Sequence, residues 1–409
     1  NITFLDNAVS IFYRINIKFN VLIFLFSLIW IITHLKVYKT EINSWHRQLS
    51  SLNWLIWIAG FLFFLIAIIQ ASAPVDHHDE GGYYLPLVRW IEQYPVVPGS
   101  AWFLDRLGYN SAFHMSNAIF GEAFLFPGGF NDLGACLFIW VNWWFFTAFN
   151  RLLKKNYTFF YSDLLLSAAL VVPFTFLNNT MDSDYPNLFI GIIILGLWIR
   201  KIESGNLWLI DLTVLLMLIF GLYLSTVRLF SVLLLLFPGF ILLNESIKSK
   251  SKVLITAIVV GMIYLLPWLI RNYYLTGYLV YPFYFVDLFN PDWKLPESLA
   301  KANYVYVAEF AKRLVDPVSY DYQGFIPYSF KYWFPIWCQF FDYTILDILV
   351  RNALPVSGIL FISLWFKKST SLEFKYLKLT MLLIFAVLVL WFFKFPSIRF
   401  AWNWILSFS

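Results

Sequence analysis

The sequence predicts an all-α polytopic membrane protein with about 10–12 transmembrane helices. Hydrophobic residues make up 60% of the 409 residues and charged residues only 13%, whereas soluble domains carry roughly 25% charged residues. Long apolar runs recur along the chain, and basic residues gather in short loops between them. The aromatic content of 22% fits belts of Trp and Tyr at both membrane surfaces, together with large loops outside the bilayer.

Apolar runs close to the roughly 20 residues that cross a bilayer mark the predicted spans. They lie at 19–35, 52–72, 131–150, 158–177, 186–200, 207–224, 228–243, 254–270, 347–366 and 378–394, and a further one begins near residue 400. The chain lacks an initial Met, and its last run is too short to cross. We therefore expect the single transmembrane domain, 1–409, to be truncated at one or both ends.

Short basic loops set the predicted orientation. They contain Lys36, Lys39 and Arg47; Arg151, Lys154 and Lys155; Arg200 and Lys201; Lys248, Lys250 and Lys252; and Lys367, Lys368, Lys375 and Lys378. When the spans alternate, these loops share one side, which the positive-inside rule makes cytoplasmic. The opposite face then receives an outer loop with interfacial helices at 73–130 and an aromatic segment at 271–346, which we expect to form a cap on the membrane.

The segment Asp76-His77-His78-Asp79-Glu80 follows the apolar run 52–72 and concentrates ionisable groups at a membrane surface, where they are costly. A carboxylate in such a medium can act as a general base; the alternative is a hydrated helix end. His77 and His78, beside the acids, also allow a divalent cation, although adjacent histidines rarely share one metal. Residues 85–92 predict an amphipathic helix that lies in the interface.

Positive charge on the outer face runs against the orientation bias and therefore calls for an anionic partner. Arg228, Arg271, Lys294 and Arg399 are predicted to lie there. A lipid phosphate fits, because Arg offers a planar bidentate set of donors; for Arg228 the alternative is a side chain that extends to the interface. Asp184, in an outer D-x-D loop, either brings a carboxylate toward the acidic segment or belongs to a solvated turn.

Several function classes lack their usual sequence signals. The chain has no G-x-x-x-x-G-K-[ST], H-E-x-x-H or G-x-S-x-G motif, which disfavours ATP-driven transport, zinc proteolysis and hydrolase-type acyl transfer. Its two cysteines provide no disulfide framework. The net charge of +5 comes mainly from the basic loops, so nucleic acid is a poor partner. No repeat of fixed period is visible, which weakens a transporter built from duplicated halves.

The sequence Asp79-Glu80-Gly81-Gly82-Tyr83 resembles the D-E-x-x-Y loop of the GT-C superfamily of integral-membrane glycosyltransferases, as found in protein-mannosyltransferase-like and aminoarabinose-transferase-like members. Further segments resemble a bacterial branch of GT-C-like proteins without an established substrate; they are 90–99, 106–111, 271–282, 287–294 and 396–400. The resemblance implies a GT-C-like helix bundle with Asp79 as catalytic base and Asp76 and Glu80 as substitutes. The loop is more acidic than the Asp-x-Gly-x-Tyr form of that branch, so the choice of acid stays open.

We therefore expect a glycosyltransferase that moves a sugar, with inversion, from a polyprenyl-phosphate donor to a glycan, lipid or protein acceptor. The site would face the periplasm from a bacterial inner membrane. A carboxylate would deprotonate the acceptor, and Arg399, Arg271 or Arg228 would stabilise the departing lipid phosphate, with Lys294, Asp184 and Tyr83 as further substrate contacts. The alternatives are a polymerase or ligase of lipid-linked glycans, a transporter of lipid or polysaccharide, and a scaffold subunit of an envelope complex.

Overall fold

A computed structural model shows how the chain folds. It describes residues 2–73, 79–120, 132–154, 160–169, 181–249, 252–312, 329–339, 358, 362, 365–366, 371–397, 400–401 and 403–405. The protein is 80% helical, and these residues contain no β-strand. The predicted all-α class is confirmed.

The α-helices are numbered in chain order. They are α1 (Ile2–Phe12), α2 (Ile17–Thr33), α3 (Leu35–Ser50), α4 (Trp54–Ser72), α5 (Leu85–Gln93), α6 (Ala112–Phe120), α7 (Asp132–Leu152), α8 (Tyr161–Ala168), α9 (Asp184–Glu203), α10 (Leu212–Val227), α11 (Leu236–Ser249), α12 (Val253–Thr276), α13 (Glu297–Ala311), α14 (Phe330–Gln339) and α15 (Leu372–Lys394). A π-helical turn, Glu80–Tyr84, leads directly into α5.

Six helices in the described part of the chain are long and apolar enough to cross a membrane. They are Trp54–Ser72, Leu133–Leu152, Asp184–Glu203, Leu229–Lys248, Val253–Thr276 and Leu372–Lys394, and two shorter apolar helices are Ile17–Thr33 and Leu212–Val227. Large apolar side chains on these helices are exposed, among them Phe24, Phe61 and Met262. Such a surface is stable against lipid rather than water. The protein is therefore an integral, polytopic membrane protein, as the sequence predicts.

Helix boundaries differ from the predicted spans because backbone hydrogen bonding continues beyond an apolar run. Helix α9 is longer at both ends than the predicted 186–200. Helix α12 continues past residue 270 to Thr276 and ends where Gly277 adopts a φ of 85°, a conformation that glycine tolerates. Arg271, predicted to follow the span, consequently lies inside α12.

Other predicted segments also differ from the observed helices. The predicted span 228–243 begins as a 3-10 helix, Leu229–Leu235, before α11 continues it. The predicted basic loop after α2 is itself helical and forms α3. The predicted spans 158–177 and 347–366 and the run near residue 400 lie partly or largely outside the described residues.

The chain divides into two compact units. Unit 1 comprises Asn1–Val96, Phe113–Phe159 and Leu166–Asp182, and unit 2 comprises Val97–Ala112, Phe160–Leu165 and Ser183–Ser409. Within unit 1, α4 packs on α7 through Phe63, whose ring centroid lies 5.7 Å from that of Phe138 and 5.1 Å from that of Phe146. This packing holds the helix that precedes the acidic segment.

The amino-terminal helix α1 is attached to α5 within unit 1. The N–H of Ile15 donates a 3.1 Å hydrogen bond to the carbonyl of Ile91, and the N–H of Val96 donates one of 2.8 Å to the carbonyl of Ser10. These bonds pair backbone groups from two parts of the chain that would otherwise need other partners. They link the carboxyl ends of α1 and α5.

Helix α5 has the amphipathic character that the sequence predicts. Leu87, Val88 and Ile91 are buried, whereas Arg89 and Glu92 form a 3.0 Å ion pair on the more exposed side. Burial raises the pKa of Glu92, although the hydrogen bond and charge of Arg89 oppose that effect. The predicted separation of apolar and charged residues along this helix is confirmed.

Helix α9 is the most deeply buried helix of unit 2. Ile192, Ile193, Ile194 and Leu195 have no exposed surface, which identifies a helix that is surrounded on all sides. Gly191 lies against Asn403, whose side chain occupies the space that a Cβ would need. This close approach accounts for a glycine in the middle of a helix.

Candidate functional site

The acidic segment follows α4 in unit 1, and the structure describes its last two carboxylates. Asp79 precedes the π-helical turn and Glu80 begins it; the predicted metal and acid residues Asp76, His77 and His78 lie outside the described residues. The extra residue of a π-helical turn is often found at functional sites. Both described carboxylates therefore lie at an irregular junction between α4 and the amphipathic helix α5.

Glu80 is the buried member of this pair. Its side chain is 1% exposed, and its Oε2 accepts a 2.9 Å hydrogen bond from the backbone N–H of Met181. A hydrogen bond from a backbone amide to a carboxylate is stronger than one between neutral groups. Glu80 therefore anchors the start of the π-helical turn to a distant segment of unit 1.

Asp79 and Tyr83 are only partly buried, in contrast to their neighbours. The ring of Tyr83 lies 4.3 Å from that of Tyr84, and Tyr84 is itself buried. The turn thus alternates side chains that hold it in place with side chains that another molecule can reach. Among the predicted catalytic acids that the structure describes, Asp79 is the accessible one and Glu80 the anchor.

His114 is a buried residue of this region that sequence reasoning missed. It lies on α6, is 4% exposed, and its ring centroid is 5.0 Å from that of Tyr84. Ser116 and Asn117 of the same helix are also buried. A buried imidazole therefore lies beside the π-helical turn. The sequence signal was a polar cluster within the short apolar segment that follows 106–111.

The buried face of α1 is polar as well. Asp6 and Ser10 have no exposed surface, and Asn7 is 4% exposed; the hydroxyl of Ser10 donates a 3.0 Å hydrogen bond to the carbonyl of Asn7. Burial raises the pKa of Asp6 to about 8, because a charged carboxylate loses its hydration there. Unit 1 therefore holds a further buried ionisable side chain besides Glu80 and His114.

Two predicted substrate-binding residues, Arg228 and Asp184, form an ion pair in unit 2. Asp184 lies in the first turn of α9, where it is 2% exposed, and Arg228 follows the last residue of α10. The guanidinium also lies 5.2 Å from the ring centroid of Phe400. The anionic partner that the sequence led us to expect for Arg228 thus includes a side chain of the protein itself.

Arg271 occupies a different environment in unit 2. It is 4% exposed, and its Nε donates a 2.8 Å hydrogen bond to Oδ1 of Asn110. The carbonyl of Asn110 accepts a 2.8 Å hydrogen bond from the indole of Trp268, and Asn110 has a left-handed φ of 45°. Sequence reasoning missed Asn110, although it belongs to one of the segments that resemble the GT-C branch. A neutral amide thus orients the plane of this guanidinium.

Lys294, another predicted cation of unit 2, is paired with an acid. Its Nζ lies 2.6 Å from Oδ1 of Asp287 and 5.2 Å from the ring centroid of Tyr278. The pair is partly exposed. Arg399 lies outside the described residues, so its predicted role stays a prediction.

The sequence also allowed a site for a divalent cation. Across the described ranges, no group of three or more His, Cys, Asp and Glu side chains has the arrangement of a metal site. The predicted ligands His77 and His78 are not among those residues. The divalent cation therefore stays a prediction from the sequence.

Comparison with known proteins gives one match. Residues 1–406 match the model of a protein family described as a domain of unknown function, DUF8201. No curated protein and no solved structure matches the chain.

Proposed function

This chain belongs to the DUF8201 family, and we propose that it is a membrane glycosyltransferase of GT-C type. It would move a sugar from a polyprenyl-phosphate donor to an acceptor hydroxyl at the non-cytoplasmic face, with inversion at the anomeric carbon. In a bacterium this would be the periplasmic face of the inner membrane. The proposal combines the resemblance of the D-E-x-x-Y loop with the arrangement of the carboxylates at the end of α4.

One observation carries the proposal: an accessible carboxylate, Asp79, precedes a turn that the buried Glu80 fixes to Met181. A general base must reach the proton that it removes and must also be held in place. A helix end that only stopped at the membrane surface would need neither a buried glutamate nor a backbone amide as its partner. The pattern supports a carboxylate that is positioned for chemistry.

In the proposed reaction Asp79 accepts the proton of the acceptor hydroxyl as its oxygen bonds to the anomeric carbon. The bond from that carbon to the phosphate oxygen breaks, and polyprenyl phosphate leaves with the electron pair. Asp79 then returns the proton to solvent. Stabilising the charge that develops on the leaving phosphate is the role predicted for an outer-face arginine.

The test is transfer by the purified full chain in lipid nanodiscs. A panel of radiolabelled polyprenyl-phosphate hexoses and pentoses would be supplied with membrane extract as the acceptor source, and release of polyprenyl phosphate would be followed. We expect turnover with at least one donor, and a loss of about 10²-fold or more in Asp79→Asn. Glu92→Gln, which changes a carboxylate on α5 outside the D-E-x-x-Y loop, is the matched control and should retain turnover.

Three results would redirect the assignment. If the triple variant with Asp76→Asn, Asp79→Asn and Glu80→Gln kept wild-type turnover, none of these three carboxylates would be the base. If activity on a polyprenyl-diphosphate glycan survived those changes but failed in Arg399→Ala, a polymerase or ligase would be favoured. Absence of turnover with every donor would leave the transporter and scaffold alternatives.

A further inference from the structure

An exposed apolar patch in unit 2 is not explained by the proposed chemistry. It consists of Trp102, Phe103, Leu288 and Phe289, whose exposed fractions are 54%, 82%, 67% and 47%. The indole N–H of Trp102 donates a hydrogen bond to the carbonyl of Trp293. This bond links the segment of Trp102 to the segment that carries Leu288 and Phe289. Large contiguous apolar surfaces outside the spans mark an interaction site.

Aromatic contacts make this patch continuous. The ring of Tyr273 lies 5.2 Å from that of Phe289 and 5.8 Å from that of Trp293, and the ring of Tyr274 lies 6.1 Å from that of Trp293. Gly99, which precedes the turn that carries Trp102, donates its N–H to the carbonyl of Tyr274 at 2.8 Å. Two segments that are distant in the sequence are thus connected.

Several polar groups in and beside the patch already donate hydrogen bonds within the protein. The N–H groups of Trp102 and Phe103 donate to the carbonyls of Gly99 and Ser100 at 2.9 and 3.0 Å. The indole of Trp293 donates to the carbonyl of Tyr273 at 3.3 Å. Satisfied donors are what an irregular segment needs before it can leave water, because lipid offers no hydrogen bonds in return.

The patch also continues a surface that faces lipid. Helix α12 exposes apolar side chains such as Ile258, Met262 and Ile263, and its last residues, Tyr273 and Tyr274, support the patch directly. Its first residues follow the basic segment 248–252, which the positive-inside rule assigns to the cytoplasm. The patch therefore lies at the end of α12 opposite that segment.

We propose that this patch inserts into the outer leaflet of the bilayer, at the level of the headgroups and upper acyl chains. Phe103 and Leu288, the two most exposed side chains, would contact the acyl chains, whereas the ion pair between Lys294 and Asp287 stays at the headgroups. Trp and Tyr beneath them match the residue types that bilayer interfaces favour. Unit 2 would thus be attached to the membrane by its outer loops as well as by its spans.

The test places a probe at each tip of the patch in the full chain. A background with Cys136→Ser and Cys338→Ser would receive a single cysteine by Phe103→Cys or Leu288→Cys, labelled with a fluorophore that reports polarity. Glu297→Cys, an exposed position at the start of α13 in the same unit, is the control. Each variant would be reconstituted in nanodiscs of phosphatidylethanolamine and phosphatidylglycerol.

Quenching by nitroxide lipids labelled high on the acyl chain and by aqueous iodide would then be compared. We expect lipid quenching at both patch positions and an iodide quenching constant about fivefold lower than at the control. Iodide quenching equal to that of the control would place the patch in water and overturn the proposal. Protection from both quenchers would show that protein covers the patch, either a second copy or a partner, and would overturn it equally.

Discussion

The backbone N–H of Met181 donates a 2.9 Å hydrogen bond to Oε2 of Glu80, although the two residues are 101 positions apart. The carboxylate is buried, so this bond replaces hydration that the side chain has lost. It connects the junction between α4 and α5 to Met181, which lies in the last segment of unit 1 along the chain. A glutamate within the predicted catalytic loop thus has a structural task.

The first prediction concerns this anchor. Glu80→Ala removes the acceptor and leaves the amide of Met181 without it, so we expect a loss of about 1–3 kcal/mol in the free energy of unfolding. Glu80→Gln keeps an oxygen acceptor and should recover most of that loss. Thermal unfolding followed by intrinsic fluorescence in detergent measures both. Equal stability of Glu80→Ala and the wild type would contradict the anchoring role.

The second prediction concerns the ion pair of Asp184 and Arg228. Arg228→Gln takes the guanidinium away from a carboxylate that is 2% exposed, and we expect a destabilisation of about 2–4 kcal/mol. Asp184→Asn in the same chain should restore part of it, because no buried charge is then left without its partner. A double-mutant cycle from unfolding in SDS gives the coupling. Additive effects of the two changes would show that the pair contributes no coupling.

The third prediction concerns Arg271 as a ligand for lipid phosphate. Arg271→Gln should weaken binding of polyprenyl phosphate about tenfold or more, and Arg271→Lys should be intermediate, because an ammonium lacks the planar bidentate donors. Asn110→Ala, which removes the acceptor that orients the guanidinium but keeps the charge, should also weaken binding. Native mass spectrometry of the detergent complex measures the affinities.

Controls separate this role from a loss of fold. Lys375→Gln removes a positive charge on the predicted cytoplasmic side and should leave the affinity unchanged. Thermal unfolding of each variant identifies any that no longer fold. An unchanged affinity in both Arg271→Gln and Asn110→Ala would remove Arg271 from the phosphate site.

The fourth prediction is a pH dependence of stability that Asp6 causes. Its pKa in the folded protein is about 8, above the ordinary value near 3.9 for an unfolded chain. Between these values the folded state holds a proton that the unfolded state has released, so the free energy of unfolding falls as the pH rises, by at most about 1.4 kcal/mol per pH unit.

Asp6→Asn should flatten that profile between about pH 4 and 8 and should be more stable than the wild type at pH 8. Unfolding temperatures across this pH range measure the effect. Glu92→Gln tests whether Glu92, a partly buried acid whose pKa is also raised, contributes. If the stability of Asp6→Asn kept the full dependence on pH, a group other than Asp6 would be its cause.

Much of the architecture could be predicted because it depends on local composition. The apolar runs anticipated α2, α4 and α15, and the separation of charged from apolar residues anticipated α5. Boundaries were less predictable: α12 continues for several residues past its apolar run until Gly277 ends it. The sequence identified Asp79 and Glu80 of unit 1, and Asp184, Arg228 and Arg271 of unit 2, as unusual. It did not identify Asn110 or His114, because the segments that contain them carry no motif that assigns either side chain a chemical role.

The sequence by itself determined that this is a helical, polytopic membrane protein, that its basic loops share one predicted side, and that acids follow an apolar span. These properties follow from the transfer energies of residues that are close together along the chain. Only the tertiary structure decided that Glu80 is buried against Met181, that Asp184 pairs with Arg228, and that Asn110 orients Arg271. Such partners come from distant segments, and packing geometry rather than composition selects which polar groups meet once water is excluded.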